Sequence, residues 1–142
     1  MPLLVVDSSV AVKWFVVEPY SDQAISILED YSKGTTTFLA PDLIYPEFGN
    51  IIWKKQEFQG LDANDGQEIV QAFCTLSLEI TPSADLVNDA YTLAKTHRRT
   101  VYDMLYLALS IRENCSFVTA DEKLVNAIKA HFQSVVWLGH WT

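Results

Sequence analysis

Leu3-Leu4-Val5-Val6-Asp7-Ser8-Ser9 is the stretch on which the reading of the whole chain turns. Four apolar residues run without alternation, the pattern of a strand covered on both of its faces. An acid ends the run, and the two serines after it suit a helix start. A strand passing directly into a helix is the opening unit of an alternating α/β chain. Further short β-branched runs at residues 36–39, 78–80, 116–118 and 134–137 read as strands. Helical spacing of apolar residues fills the gaps at 21–31, 63–76, 84–97, 102–112 and 122–132. One more helix runs from 42 or 45 to about 58, its start left open by Pro46. Gly34, Gly60 and Pro82 mark joints between elements. The alternation predicts one α/β domain over 1–142: a mostly parallel sheet of about five strands, crossed over right-handedly, with helices on both faces. In such a sheet functional groups gather beyond the carboxyl ends of the strands, where strand order reverses.

Composition narrows the class. Nearly half of the 142 residues are apolar and a fifth are charged, which is a globular balance. No apolar run approaches the ~20 residues of a membrane helix, so no membrane partner is expected. The opening residues lack a basic segment and meet an acid too early for a secretory signal. Cys74 and Cys115 lie far apart in apolar contexts without a CxxC pair and read as two reduced thiols in a packed interior. A cytoplasmic location is the expectation. The net charge of −8 sits awkwardly with a partner rich in phosphates, unless local cations and bound metal offset a cluster of carboxylates.

Four acids stand where that cluster would form. Asp7 ends the first strand, and Asp121 follows the fourth in Phe117-Val118-Thr119-Ala120-Asp121. Asp103 opens the most apolar helix, and Glu47 borders the buried face of its helix, about 60° from the centre of the apolar stripe. Asn50 and Lys54 share the flank of Glu47. Each acid also has an ordinary explanation. Asp7 can cap the helix after it, Thr100-x-x-Asp103 and Thr119-x-x-Glu122 fit the capping pattern, and Glu47 suits a helix start. A parallel sheet, however, places all four on one rim. Carboxylates ~4 Å apart repel by about 4 kcal/mol per pair at an effective dielectric of 20, so protons or a cation must compensate. Oxygen donors without a histidine or cysteine cluster select Mg²⁺ or Mn²⁺. The chemistry that suits such a site is metal-assisted hydrolysis of a phosphodiester.

Several segments, in order, resemble the PIN-domain ribonucleases, most closely the VapC-type toxins of bacterial toxin–antitoxin pairs. They are Val5-Val6-Asp7-Ser8-Ser9-Val10 with Lys13-Trp14-Phe15 and Glu18, and Ala40-Pro41-Asp42-Leu43 leading to Glu47 and Asn50. Tyr102-Asp103-Met104-Leu105-Tyr106-Leu107-Ala108-Leu109 and Phe117-Val118-Thr119-Ala120-Asp121 with Leu124 complete them. The resemblance implies that Asp7, Glu47, Asp103 and Asp121 hold Mg²⁺ or Mn²⁺, with Asp7 and Asp103 the surest ligands and Ser8, Thr119 and Asn50 as possible assistants. It implies an RNA substrate, homodimers, and a cognate antitoxin that neutralises the chain by inserting a basic side chain into the acidic pocket.

Other residues carry secondary expectations. Lys95, His97, Arg98 and Arg99 form the one dense basic patch, just before Asp103. They read as cations at a helix end or as a phosphate-steering edge, joined by Lys13, Lys54 and Lys55. His97, His131 and His140 read as isolated. Trp14, Trp53, Trp137 and Trp141 read as core or interface packing ahead of base stacking, with Trp14 and Phe15 the choice for an antitoxin or dimer contact, and the segment around Trp137 and Trp141 is expected to close the sheet edge. The glycine-rich fingerprints of dinucleotide and P-loop proteins are absent, and Ser9 stands where a haloacid-dehalogenase-like phosphatase needs a second acid. A catalytically idle RNA- or protein-binding module of the same fold is the alternative.

Overall fold

The first strand, β1 (Leu3–Val6), lies at the centre of a five-stranded sheet in which every pairing is parallel. The structure, a computed structural model, describes residues 2–142; Met1, the first residue of the expected domain, lies outside them. After β1 come α1 (Ser8–Ala11), a 3-10 turn (Val12–Trp14), α2 (Ser21–Ser32), β2 (Thr37–Pro41), α3 (Ile44–Phe58), α4 (Ala63–Cys74) and β3 (Glu79–Thr81). The chain continues through α5 (Ser83–His97), α6 (Val101–Arg112), β4 (Ser116–Thr119), α7 (Glu122–Ile128), β5 (Val135–Trp137) and a closing 3-10 turn (Leu138–His140). Strand order is β3-β2-β1-β4-β5. The chain builds outward on one side of β1 and then crosses to the other, so the order reverses between β1 and β4. That pair sets the carboxyl end of β1 beside that of β4, with Val6 opposite Val118.

The uninterrupted apolar run of β1 is explained by its place. Val5 and Val6 are fully buried, as are Phe38 on β2 and Phe117 and Val118 on β4. Helix α6 is apolar nearly all round and buried from Met104 to Ser110, as a helix packed between the sheet and α5 must be. Arg98, in the left-handed conformation at φ 55°, ends α5 and turns the chain back. Thr100 then accepts a hydrogen bond from the Asp103 amide and starts α6. Among the described residues no helix is long and apolar enough to cross a membrane.

Three expectations are corrected. Trp14 is a core residue, not a contact surface. It stacks on Phe38 at 5.0 Å and donates to the Ala24 carbonyl at 2.9 Å. Cys74, at the last turn of α4, is exposed, and Cys115 is half-buried; both thiols are free. The pattern 122–132 overruns α7, which ends at Ile128 because the chain must drop back into β5. The helix expected after Asp7 is present as the short α1, whose four residues give no period from which its end could be read.

Candidate functional site

At the reversal of strand order, the residues just past β1 and β4 are tied to each other by side-chain hydroxyls. Thr119 Oγ1 donates to Asp7 Oδ2 at 2.5 Å. Ser9 Oγ donates to Asp7 Oδ1 at 2.6 Å and accepts from the Ala120 amide at 3.0 Å. The Val10 amide completes the shell of Asp7 at 3.2 Å, so the acid also caps α1. Asp7 is 8% exposed. Burial pushes its carboxyl up to about 6, against the pull of these hydrogen bonds, and the neighbouring Glu47 adds to the rise.

Glu47 sits in the first turn of α3, half-buried. Tyr106 donates to its Oε1 at 2.5 Å, and Ser8 Oγ to the same atom at 3.4 Å. Burial raises its carboxyl above the ordinary range, offset by those two hydroxyls, and Asp103 raises it further. Asp103 is raised by burial first and then by Asp121, with Arg99 and Thr100 working the other way. Arg99 reaches Asp103 at 3.8 Å. Asp121 caps α7 through the Leu124 amide at 3.1 Å, and its own amide donates to Thr119 Oγ1. Burial and the Glu47 charge hold the Tyr106 phenol far above its usual range, so it remains a donor.

The four acids predicted from the sequence therefore share the carboxyl rim of the sheet as a chain of like-charged neighbours: Asp7 with Glu47, Glu47 with Asp103, Asp103 with Asp121. Among the described residues, no three histidine, cysteine or acidic side chains stand close enough, as placed, to hold a metal ion. The fit to a divalent cation therefore lies in donor chemistry. The donors are hard oxygens, none is histidine or cysteine, and three of the four carboxyls are raised by burial and by a like charge, the condition a cation relieves.

Of the assisting candidates, Thr119 and Ser8 bond to Asp7 and Glu47 respectively, while Asn50 is exposed and, among the described residues, takes part in no hydrogen bond at the four acids. Ser9 and Tyr106 are the residues sequence reasoning missed. Both lie within quoted motifs, two residues after Asp7 and three after Asp103, but only Ser9 bonds to the acid of its own motif, while Tyr106 reaches Glu47 on α3. The basic patch disperses. Lys95 lies over the Tyr91 ring at 4.8 Å, His97 packs on His131 and Phe132, and Arg99 forms the loose ion pair with Asp103 on the rim. Lys13 and Lys55 both engage Glu18.

Comparison with known proteins places this arrangement in a wider group. A family model described as PIN domain matches residues 4–129. A curated relative, Ribonuclease VapC3 of Pyrobaculum aerophilum, is 28% identical over 129 residues, 89% of this chain and 95% of the relative. Among solved structures, PAE2754 of the same organism superimposes with a TM-score of 0.69 at 19% identity, covering 97% of this chain and 92% of that one. A toxin–antitoxin complex from Klebsiella pneumoniae gives a TM-score of 0.63 at 13% identity, with 94% and 95% covered.

Proposed function

The chain belongs to the PIN-domain family, and from that premise we propose that it is a metal-dependent endoribonuclease, the toxin of a toxin–antitoxin pair, hydrolysing RNA phosphodiesters at the Asp7–Glu47–Asp103–Asp121 rim. The observation that carries this reading is the run of neighbouring carboxylates at the carboxyl rim of the sheet, three of them raised by burial and by the next acid in the run. A packed fold keeps such a row only where protons or a cation neutralise it. The proteins it is similar to, a ribonuclease and a toxin–antitoxin complex, point the same way.

Asp7 and Asp103 would hold Mg²⁺ or Mn²⁺, with Glu47 and Asp121 completing the oxygen set. When bound, the ion supplies a Lewis acid for the phosphate and a water of lowered pKa. The chain's own residues do the rest. Ser9 and Thr119 fix both oxygens of Asp7, so its carboxylate does not rotate when substrate arrives. Arg99, beside Asp103, is placed to meet a phosphate as well as the acid, which tempers the molecule's negative field for RNA. The antitoxin would offer a basic side chain to the same acids, and the toxin would act as a homodimer.

The idle-module alternative draws on a real feature: Asp7 and Asp121 also cap helices. One experiment separates the readings. Purified wild type, given Mg²⁺ or Mn²⁺, should cut cellular RNA, and Asp103→Asn should lose roughly 100-fold, a barrier rise of about 3 kcal/mol. In a bacterium lacking the antitoxin, wild type should arrest growth and Asp103→Asn should not. Equal cutting by both proteins, or none by wild type at any metal concentration, rejects the enzyme.

A further inference from the structure

Tyr106 lies on α6 three residues beyond Asp103, so the two side chains leave neighbouring positions on one side of the helix. It is only 2% exposed. Its ring is fixed by parallel stacking on Phe117 of β4, with centroids 5.9 Å apart and planes 11° apart. A phenol in such surroundings is unfavourable unless its hydroxyl finds an acceptor. That acceptor is Glu47 Oε1 on α3, 59 residues away in sequence. The weaker contact from Ser8 Oγ falls on the same oxygen. Both donors thus take Oε1, and among the described residues no hydrogen bond engages Oε2. One oxygen is thereby anchored to the core, on a side chain that stays partly exposed.

From this geometry we infer that Tyr106 is a positioning residue, which fixes the rotamer of Glu47 through Oε1 so that Oε2 is presented to the divalent cation. The inference rests on the metal reading above and adds to it a buried hydroxyl that touches neither ion nor substrate. It accounts for the buried phenol: a phenylalanine would stack on Phe117 equally well, but it would leave Glu47 held only by the longer contact from Ser8. Outer hydrogen-bond partners of metal-ligating carboxylates act in this way, orienting the ligand they hold.

The test uses Tyr106→Phe, which keeps the ring and removes the hydroxyl alone. Calorimetric titration of Mn²⁺ should give an affinity about ten-fold weaker than wild type, the lower end of the effect of losing an outer-shell partner. RNA cleavage should fall in kcat with KM for RNA unchanged. In a Glu47→Gln background, adding Tyr106→Phe should cost nothing further, because the group it positions is already gone. A second measurement needs no metal: the Tyr106 hydroxyl proton should exchange slowly enough to be seen by NMR in wild type, and Glu47→Ala should abolish its signal. A folded Tyr106→Phe that binds Mn²⁺ as tightly as wild type overturns the inference, as does a hydroxyl proton indifferent to Glu47. The latter still decides the matter should Tyr106→Phe not fold. Wild type that binds no Mn²⁺ at all removes the metal reading itself, and this inference with it.

Discussion

Asp7 shows how much one side chain can decide. Its carboxyl is buried and accepts bonds from two hydroxyls and one amide, yet burial still lifts it from 3.8 to about 6, corresponding to about 3 kcal/mol against the charged form. The folded pKa lies above the unfolded one, so in metal-free protein its stabilising contribution is complete below about pH 4. It is lost as pH climbs to about 6. Asp7→Asn removes the titration. In chelator, the stability of this variant relative to wild type should therefore rise between pH 4 and pH 7 by up to about 3 kcal/mol, read from denaturant midpoints. A pH-independent difference would mean that Asp7 stays ionised at little expense. The identity of this acid was legible in the sequence because it closes an apolar strand. What surrounds it was not. Ser9 follows Asp7 at a distance of two residues, but only the four-residue helix α1 and the approach of β4 turn its hydroxyl onto the acid and the Ala120 amide. Tyr106 was hidden for a related reason: a tyrosine within an apolar helix looks like core until its hydroxyl's partner on another element is known.

Among the elements, the segment between the 3-10 turn at Val12–Trp14 and α2 is tied down by charge. Glu18 accepts from Lys13 at 2.9 Å through one oxygen and from Lys55, in the last turn of α3, through the other. Both lysine side chains are nearly covered, at 11% and 12% exposure. Although burial works to raise the Glu18 carboxyl, the two ammonium groups bring it below the ordinary range. Its contribution is thus present above the unfolded pKa and fades as acid protonates it. Glu18→Gln would leave two ammonium groups facing each other, and should destabilise the fold by about 2 kcal/mol, less in 1 M salt. A change within 0.5 kcal/mol in urea unfolding, the usual range for surface substitutions, would show that solvent already screens the trio. The sequence placed Lys13 and Lys55 on a phosphate-steering edge because spacing along a chain reveals charge but not its partner. Periodicity did better with the long helices, whose ends it gave within two residues for α2, α4, α5 and α6. It did worse with α7, where the sheet and not the apolar pattern sets the end.

For the whole molecule, the alternation of strands and helices was enough to give the parallel sheet and its functional rim; strand order came only with the structure. The rim gathers residues from four separated parts of the chain, and their repulsion makes the metal-free fold weaker than it need be. Mn²⁺ should therefore stabilise it by mass action: at 100 times its dissociation constant the gain is about 2.7 kcal/mol, a rise in melting temperature of roughly 5–10 °C. Asp103→Asn should lose most of that rise. A thermal melt of wild type unmoved by Mn²⁺ would leave the acids as helix caps alone. The central position of β1 has a consequence for how the molecule comes into being. Asp7 and its hydroxyl partner Thr119 stand 112 residues apart in the chain. A copy cut short of β4 holds Asp7 with no strand beside it to seat the carboxylate, so the acidic rim comes together only once both sides of the sheet have joined.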